Sequence, residues 1–283
     1  MQTLIHDLKC DKPNANQDRI FVPLPRGLPL DFQIASDNFR CAKLSPMVLL
    51  DLTLPSPAEN LACDEALLDW CEAGQCDGLL RFWEATEYFV VLGYANKAAV
   101  EADLDACQKR AVPVFRRCTG GGAVLQGPGC LNYSLVLRMA GALQSISETN
   151  CLVMQNNRDA LQPLIKGKIQ VRGHTDLAIG ELKFSGNSQR RRREFLLFHG
   201  SFLLNFDFGV IEQVLKFPSK QPDYRSGRSH KEFLMNAGVA SDAIKTALAT
   251  AWSANEGQVC APSARIETLV REKYSRAEWN FKS

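Results

Sequence analysis

Apolar residues along this chain recur with two periods, and the places where the period changes mark the elements. MVLLDLTL at 47–54 is a short apolar run and predicts a strand. PSPAENLACDEALLDWCEA, which follows, predicts a helix. Ser56 stands where a cap belongs, Pro57 suits the first turn, and Leu61, Asp64, Glu65 and Leu68 recur at helical spacing. GLLRFWEA at 78–85 and YFVVLGYA at 88–95 predict two strands, 98–110 a helix, and VPVFRRC at 112–118 a strand running into a glycine-rich stretch. LNYSLVLRM at 131–139 predicts the next strand and 151–166 a helix. DLAIGELKFSGNSQR reads as two strands around a tight turn near Gly180. The arginine run at 190–193 reads as a basic turn, and FLLFHGSFLLNFD as a long apolar strand. A loop carrying PDYRSGRSH leads to two helices near 241–254 and 263–274. Antiparallel strand pairs with flanking helices make this an α+β chain: a mixed, largely antiparallel sheet with helices beside it.

Residues 1–46 hold no sustained period and are rich in Pro, Asp and Asn, so they read as an irregular N-terminal extension to a domain spanning 47–283. On pattern alone Met47 is an alternative start, and the sequence does not decide between it and Met1. The full length of 283 residues is enough for one large core, and the 46% hydrophobic and 23% charged content is ordinary for a globular protein. A net charge of +2 gives no strong pull toward nucleic acid or membrane, so neither is expected as a partner. The first residues lack an apolar signal core and no apolar run is long enough to span a bilayer. The ten cysteines match no zinc spacing, and the expectation is a cytoplasmic protein with reduced thiols.

Composition leaves the chemistry open; the segment RRCTGGGAVLQGPGCLNYS narrows it. Three adjacent glycines cost conformational entropy that a simple turn does not require. Arg116 and Arg117 end an apolar strand just before them, and Gly127-Pro128-Gly129 follows. Glycine backbones let N–H groups approach an anion closely. A tight strand-to-strand turn is the plainer reading. The GK[ST] ending of a phosphate-binding P-loop is missing, and a strand rather than a helix follows, which excludes a dinucleotide fingerprint.

A second constellation is GHTDLAIGELKFSGNSQ. Lys183 lies on a strand beside Ser185, Gly186, Asn187 and Ser188, with Asp176 across the turn. Small neighbours clear space around the ammonium, which then serves as a point charge for a phosphate or a developing carboxyl-phosphate. A solvated edge lysine is the ordinary alternative.

These motifs, RRCTGGGAV…GPG…LNYS, DL…G..K.SG.. and HGS.LLN, resemble the lipoate-protein ligase A family, whose fold is shared with biotin-protein ligases and octanoyltransferases. The resemblance covers roughly residues 47–281. It implies that Arg117, Thr119, Gly120, Gly121 and Gly122 wrap the acyl chain and adenylate, and that Lys183 is the catalytic lysine. Asp176, His199 with Gly200-Ser201, and the pair Gly93 and Tyr94 match further ligand-bordering motifs. Departures remain. Gln126-Gly127 and Gly129-Cys130 stand where many ligases read His-Asp and Gly-Asn, and Gly-Pro-Gly is closer to the octanoyltransferase branch. That branch has a cysteine shortly before the lysine, whereas residues 161–182 contain none.

The resemblance implies an enzyme that activates lipoate or octanoate with ATP and Mg2+ and passes the acyl group to a lysine of a lipoyl carrier domain. The carrier would belong to a 2-oxoacid dehydrogenase or be a glycine-cleavage H-type protein. Asp176 would position the metal or Lys183, and an apolar slot would draw on Phe82, Trp83, Val124 and Leu125. Two alternatives stay open: an octanoyl- or lipoyltransferase working through a thioester, with Cys130 or Cys118 as nucleophile, and a non-catalytic binder of carrier domains. Arg190 to Arg193 read either as a solvated turn or as a mobile basic loop that steers an acidic carrier. The small accessory domain of the ligases is missing after EKYSRAEWNF, so a separate small accessory protein is a further expectation.

Overall fold

The computed structural model describes residues 47–257 and 261–282; the extension read at 1–46 lies outside them. Strand β1 (Met47–Asp51) leads into helix α1 (Pro57–Glu72). Ser56 closes the start of α1 in a capping box: its hydroxyl accepts from Glu59 N, and the Glu59 carboxylate accepts from Ser56 N. Every residue from Asn60 to Leu68 is buried, so α1 is a core helix and its charged Asp64 and Glu65 need partners inside the protein.

Strands β2 (Gly78–Glu84) and β3 (Phe89–Leu92) form where the apolar runs predict them. The helix expected over 98–110 is broken into α2 (Ala98–Glu101) and α3 (Leu104–Lys109). Asp103 N donates to Val214 O instead of continuing the helix, and Asp103 Oδ1 caps Ala106 N at 2.9 Å. Strands β4 (Val114–Arg116), β5 (Val124–Gln126) and β6 (Cys130–Arg138) follow. Helix α4 (Ile146–Leu161) starts earlier than its apolar period suggests, with Ser145 as cap, and ends ahead of Pro163, which has no N–H to extend the helix. Then come β7 (Ile169–Arg172), β8 (Asp176–Ile179), β9 (Leu182–Arg191) and β10 (Phe195–Leu203). The expected basic turn is shorter than the arginine run, because Arg190 and Arg191 belong to β9.

The remaining elements are α5 (Phe208–Val214), α6 (His230–Phe233), α7 (Ser241–Ala251), β11 (Ala254–Glu256), α8 (Ser263–Leu269) and α9 (Ala277–Asn280). A π turn over Val270–Tyr274 continues α8.

Eight strands form a mixed sheet in the order β11-β1-β2-β6-β10-β9-β8-β7, and β4-β3-β5 form a smaller one. β1 runs parallel to β11 and β2, while every pairing from β2 to β7 is antiparallel. One face packs on α4 and α7 through Tyr133, Met154, Phe198 and Leu248. The other packs on α1 and α8 through Leu67, Trp83, Leu197 and Ile266. The small sheet buries Val90, Leu92 and Leu125 against α2, α3 and α5. Alternation explains the polar residues within apolar runs. Arg81 on β2, Asn132 and Ser134 on β6, and His199 and Ser201 on β10 all point to the α1 face.

Candidate active site

Two ladders of directly opposed residues cross the sheet on the α1 face. One reads Arg81, Ser134, His199 and Ser188; the next reads Trp83, Asn132, Ser201 and Gly186. The first carries a buried charge relay. Arg81 Nη1 donates to Asp64 Oδ1 at 2.6 Å, Asp64 Oδ2 lies 3.1 Å from His199 Nδ1, and His199 Nε2 lies 2.7 Å from Thr119 Oγ1. Burial pushes the Asp64 carboxyl upward, but the Arg81 and His199 partners outweigh it and hold it below the usual carboxylate range. The relay thus fixes one imidazole edge to the glycine loop. Only Thr119 and His199 of this group were legible as site residues; Arg81 and Asp64 lack a local motif and become partners only when β2 and α1 pack.

Arg117 organises the glycine loop from within. Its guanidinium donates to Thr119 Oγ1 at 3.0 Å, to Gly122 O at 2.9 Å, to Gly120 O and to Val91 O. Burial lowers it to about 10. Gly121 has a φ of +89°, in the left-handed region that glycine tolerates. The loop also meets the Gly93–Tyr94 turn: Tyr94 N donates to Thr119 O at 2.8 Å, and a Cβ on Gly93 would stand 2.0 Å from Gly121 O. Ser188 Oγ donates to Gly120 O at 3.0 Å, tying the loop to β9. Open space lies where side chains would stand on Gly120 and Gly122.

Arg116 does more than flank the loop with charge. It is fully buried, and it donates to Gly93, Tyr94 and Asn96 carbonyls on one side and to Trp279, Asn280 and Lys282 carbonyls on the other. It pins the C-terminal segment to the Gly93 turn. Tyr94 itself is 48% exposed and lies under the Lys282 ammonium.

Lys183 and Asp176 meet across β9 and β8, with Nζ to Oδ1 at 2.8 Å, helped by a bulge at Leu177/Ala178. Tyr224 OH donates to Asp176 Oδ2 at 2.9 Å, and the Arg172 guanidinium lies over the Tyr224 ring. Burial and the Asp176 charge both push the Tyr224 phenol upward, so it stays a donor. A Cβ on Gly186 would stand 2.7 Å from Lys183 Nζ, so this glycine lets the ammonium fold onto the α1 face. Tyr224 and its neighbour Arg225, which is buried and whose Nη2 has no partner among the described residues, come from the PDYRSGRSH loop, where no spacing rule marks them. The site therefore offers an ammonium and an open glycine backbone, a set that fits a phosphate-bearing substrate, whereas the Arg225 guanidinium lies over the Phe217 and Phe233 rings. Among the described residues no group of three His, Cys, Asp or Glu is placed to hold a metal ion. Asp176 is the carboxylate beside Lys183, so an ion there would take its other donors from the phosphates.

The sheet divides the expected apolar slot. Trp83 and Val124 pack in the α1-side cluster, whereas Phe82 faces the opposite core and Leu125 the small-sheet core. Neighbouring strand residues point to opposite faces, so neither Phe82 with Trp83 nor Val124 with Leu125 can line one slot. The arginine run is not a free loop. Arg190 donates to Cys118 O at 3.1 Å, Arg191 to Leu143 O, and Arg192 to Asp69 at 2.8 Å. Cys130 is buried and its thiol donates to Gln126 Oε1 at 3.2 Å; burial pushes it up to about 12. Cys118 is buried too and pushed up to about 11. Such thiols are the opposite of an activated nucleophile.

Comparison with known proteins gives the family and the fold. The model of the lipoyl protein ligase A/B catalytic domain matches residues 56–244. The octanoyltransferase LipM of Geobacillus kaustophilus (strain HTA426) is 26% identical over 263 residues, covering 80% of this chain and 94% of that protein. Lipoate-protein ligase A subunit 1 of Thermoplasma acidophilum is 29% identical over 240 residues, covering 78% and 91%. A crystal structure of lipoate-protein ligase A bound with ATP superposes with a TM-score of 0.72 at 27% identity, over 84% of this chain and 99% of that one. A bipartite lipoate-protein ligase from Thermoplasma acidophilum, solved with its E2 lipoyl domain, gives 0.72 at 27% identity, over 83% and 96%.

Proposed function

This chain belongs to the lipoyl protein ligase A/B catalytic-domain family, and from that premise we propose that it is a lipoate-protein ligase. It would use ATP to convert lipoate to lipoyl-AMP and then pass the acyl group to a lysine of a lipoyl carrier domain. The observation that carries this reading is the Lys183–Asp176 pair, folded over Gly186 beside an open glycine loop. A lipoate carboxylate and a triphosphate repel, so the site must supply positive charge where they meet. A carboxylate oxygen bonds to the α-phosphorus while the bond to pyrophosphate breaks. Lys183 Nζ would neutralise the negative charge that builds up, with glycine N–H groups assisting. Asp176 and Tyr224 hold the ammonium in place beforehand, so no reorganisation is needed at the moment of reaction. In the second step the carrier amine attacks the acyl carbonyl and AMP leaves. Magnesium, held by the phosphates and Asp176, would add positive charge.

Relatives named octanoyltransferase favour a second reading, transfer of octanoate from a carrier protein through a thioester. The buried, high-pKa thiols of Cys118 and Cys130 weigh against it.

The test is acyl transfer to a lipoyl carrier domain, run with ATP and free lipoate or with an octanoyl-carrier donor and no ATP. ATP-dependent transfer, with pyrophosphate released, is expected, and Lys183→Ala should lower it by roughly 10²–10³-fold without unfolding the chain. Transfer from the octanoyl donor alone would replace this reading with the second. If pyrophosphate release is feeble until a small accessory protein is added, the active enzyme is bipartite.

A further inference from the structure

A chain of hydrogen bonds runs through the core on the α4 face of the sheet and ends beside the Lys183–Asp176 pair. Trp252, just past α7, donates from Nε1 to Asn157 Oδ1 on α4 at 2.8 Å, and Asn157 Nδ2 donates to Tyr133 OH on β6 at 2.9 Å. Tyr133 OH donates to Asn187 Oδ1 on β9 at 2.6 Å, and Asn187 Nδ2 donates to Thr175 O at 2.6 Å. Thr175 Oγ1 returns a bond to Asn187 O at 2.8 Å. Trp252, Asn157 and Tyr133 are all buried. Gly200 stands between Tyr133 and Asn187 in the ladder, and a Cβ there would overlap Asn187 Oδ1, so this glycine opens the path by which the amide crosses β10.

Each member can play only one part. An indole N–H donates and never accepts, so Asn157 turns its oxygen to Trp252 and its nitrogen to Tyr133. Burial pushes the Tyr133 phenol up, so it keeps its proton and directs it at Asn187 Oδ1. That leaves the Asn187 nitrogen for the Thr175 carbonyl. The direction set at Trp252 therefore reaches the peptide that joins Thr175 to Asp176. Buried polar groups are costly to leave unpaired, so the chain holds as a unit. Asp176 in turn meets Lys183 Nζ at 2.8 Å and accepts from Tyr224. We infer that Tyr133 and Asn187 are positioning residues: the chain from Trp252 clamps the Thr175–Asp176 peptide and so sets the Asp176 carboxylate against Lys183. The inference rests on the reading of Lys183 as the reacting ammonium.

Tyr133→Phe is the direct test, because it keeps the ring stacked on Phe202 and removes one hydroxyl. Turnover is read in whichever acyl transfer to a lipoyl carrier domain the wild-type chain performs, from ATP and free acid or from an acyl-carrier donor. In Tyr133→Phe kcat should fall roughly 10- to 100-fold, as for a reacting group misplaced by up to about 1 Å, with the KM for the acyl substrate within about twofold of wild type. Trp252→Phe should lower kcat in the same direction, and the double variant should be no slower than Tyr133→Phe, because both break one chain. Val153→Ala opens a cavity in the same core outside the chain and should lower the melting temperature without lowering kcat. If Tyr133→Phe does not fold, Thr175→Val, without the hydroxyl, should lose kcat while Thr175→Ser retains it. An unchanged kcat in the folded variants, a kcat that follows the melting temperature in Val153→Ala as well, or losses that add in the double variant overturns the inference. Its failure is separable from that of the ligase reading. ATP-dependent transfer that needs Lys183 but not the Tyr133 hydroxyl keeps the ligase and removes the clamp, transfer from the acyl-carrier donor alone that Tyr133→Phe still slows does the reverse, and a chain that transfers neither way overturns both.

Discussion

Replacing Asp64 by asparagine tests the buried relay with little change in shape. Asp64 is 2% exposed and Arg81 fully buried, and the pair is closed at 2.6 Å. Asparagine preserves volume and one oxygen but removes the charge. The Arg81 guanidinium keeps its bonds to Leu52 O, Asn60 O and Asn60 Oδ1, so its donors stay largely satisfied and the loss is electrostatic. Removing one partner of a buried pair costs about 3–5 kcal/mol, and with those bonds retained the cost should lie near the lower end, about 3 kcal/mol. For a domain of this size that lowers the melting temperature by roughly 6–12 °C. Urea unfolding should show a reduced midpoint with an unchanged slope. The pH dependence has a definite sign. The Asp64 carboxyl is held below its unfolded value of 3.8, so its contribution is complete above that value and is lost as pH falls through the lower folded one. The gap between wild type and Asp64→Asn should therefore be flat near neutral pH and close in acid. Arg81→Met combined with Asp64→Leu should recover much of the stability, because no charge is then left buried alone. A loss under about 1 kcal/mol for Asp64→Asn at neutral pH, or a gap that persists in strong acid, would refute the reasoning.

The thiols should separate by environment: brief iodoacetamide treatment near neutral pH labels exposed Cys151 and half-buried Cys76, whose thiol a Cys71 hydrogen bond lowers to about 6, and spares Cys118 and Cys130. Peptide mass spectrometry reads the order, and early labelling of Cys130 would contradict its burial. Under the ligase reading, Cys118→Ala and Cys130→Ala retain most of the ATP-dependent transfer, and an acyl adduct on either thiol, lost with activity, would count against it. Gly93→Ala should cost about 1–3 kcal/mol in thermal unfolding and raise the KM for the acid, because its Cβ would press on Gly121 O. Arg190→Ser should lower the melting temperature by breaking its bond to Cys118 O, whereas exposed Arg193→Ser should be neutral; equal effects would return the run to a free loop.

The sequence was most informative where a local rule governs the backbone. Ser56 and Glu59 announce the start of α1, the long apolar runs announce β6 and β10, and glycine marks the turn at Gly180. It was least informative where a partner far along the chain decides. β5 and β7 are only three and four residues long and exist because β3 and β8 pair with them. The break at Asp103 depends on Val214 O, and the strand character of Arg190 and Arg191 depends on β10.

The same distinction explains which site residues were legible. Motif residues such as Arg117, Thr119, Lys183 and His199 lie beside glycines that reshape the backbone, and those glycines are visible in one dimension. Residues that act through the core are not. Arg81 and Arg116 look like ordinary strand charges, yet each is buried and closes a set of carbonyl acceptors from distant segments. Their cost of burial is met only when those segments come together, so they couple the site to the completed fold. Arg116 shows the consequence most directly. Its carbonyl partners at Trp279, Asn280 and Lys282 belong to the end of the described chain, and those at Gly93, Tyr94 and Asn96 to the turn that supports the glycine loop. Arg116→Lys keeps the charge but not the planar fork, so it cannot serve both segments at once. The glycine loop should then lose its support from the Gly93 turn, and the KM for the acid should rise more than kcat falls, because the Lys183–Asp176 pair on β9 and β8 is left intact. A fall in kcat alone would mean that the C-terminal segment does not support the loop.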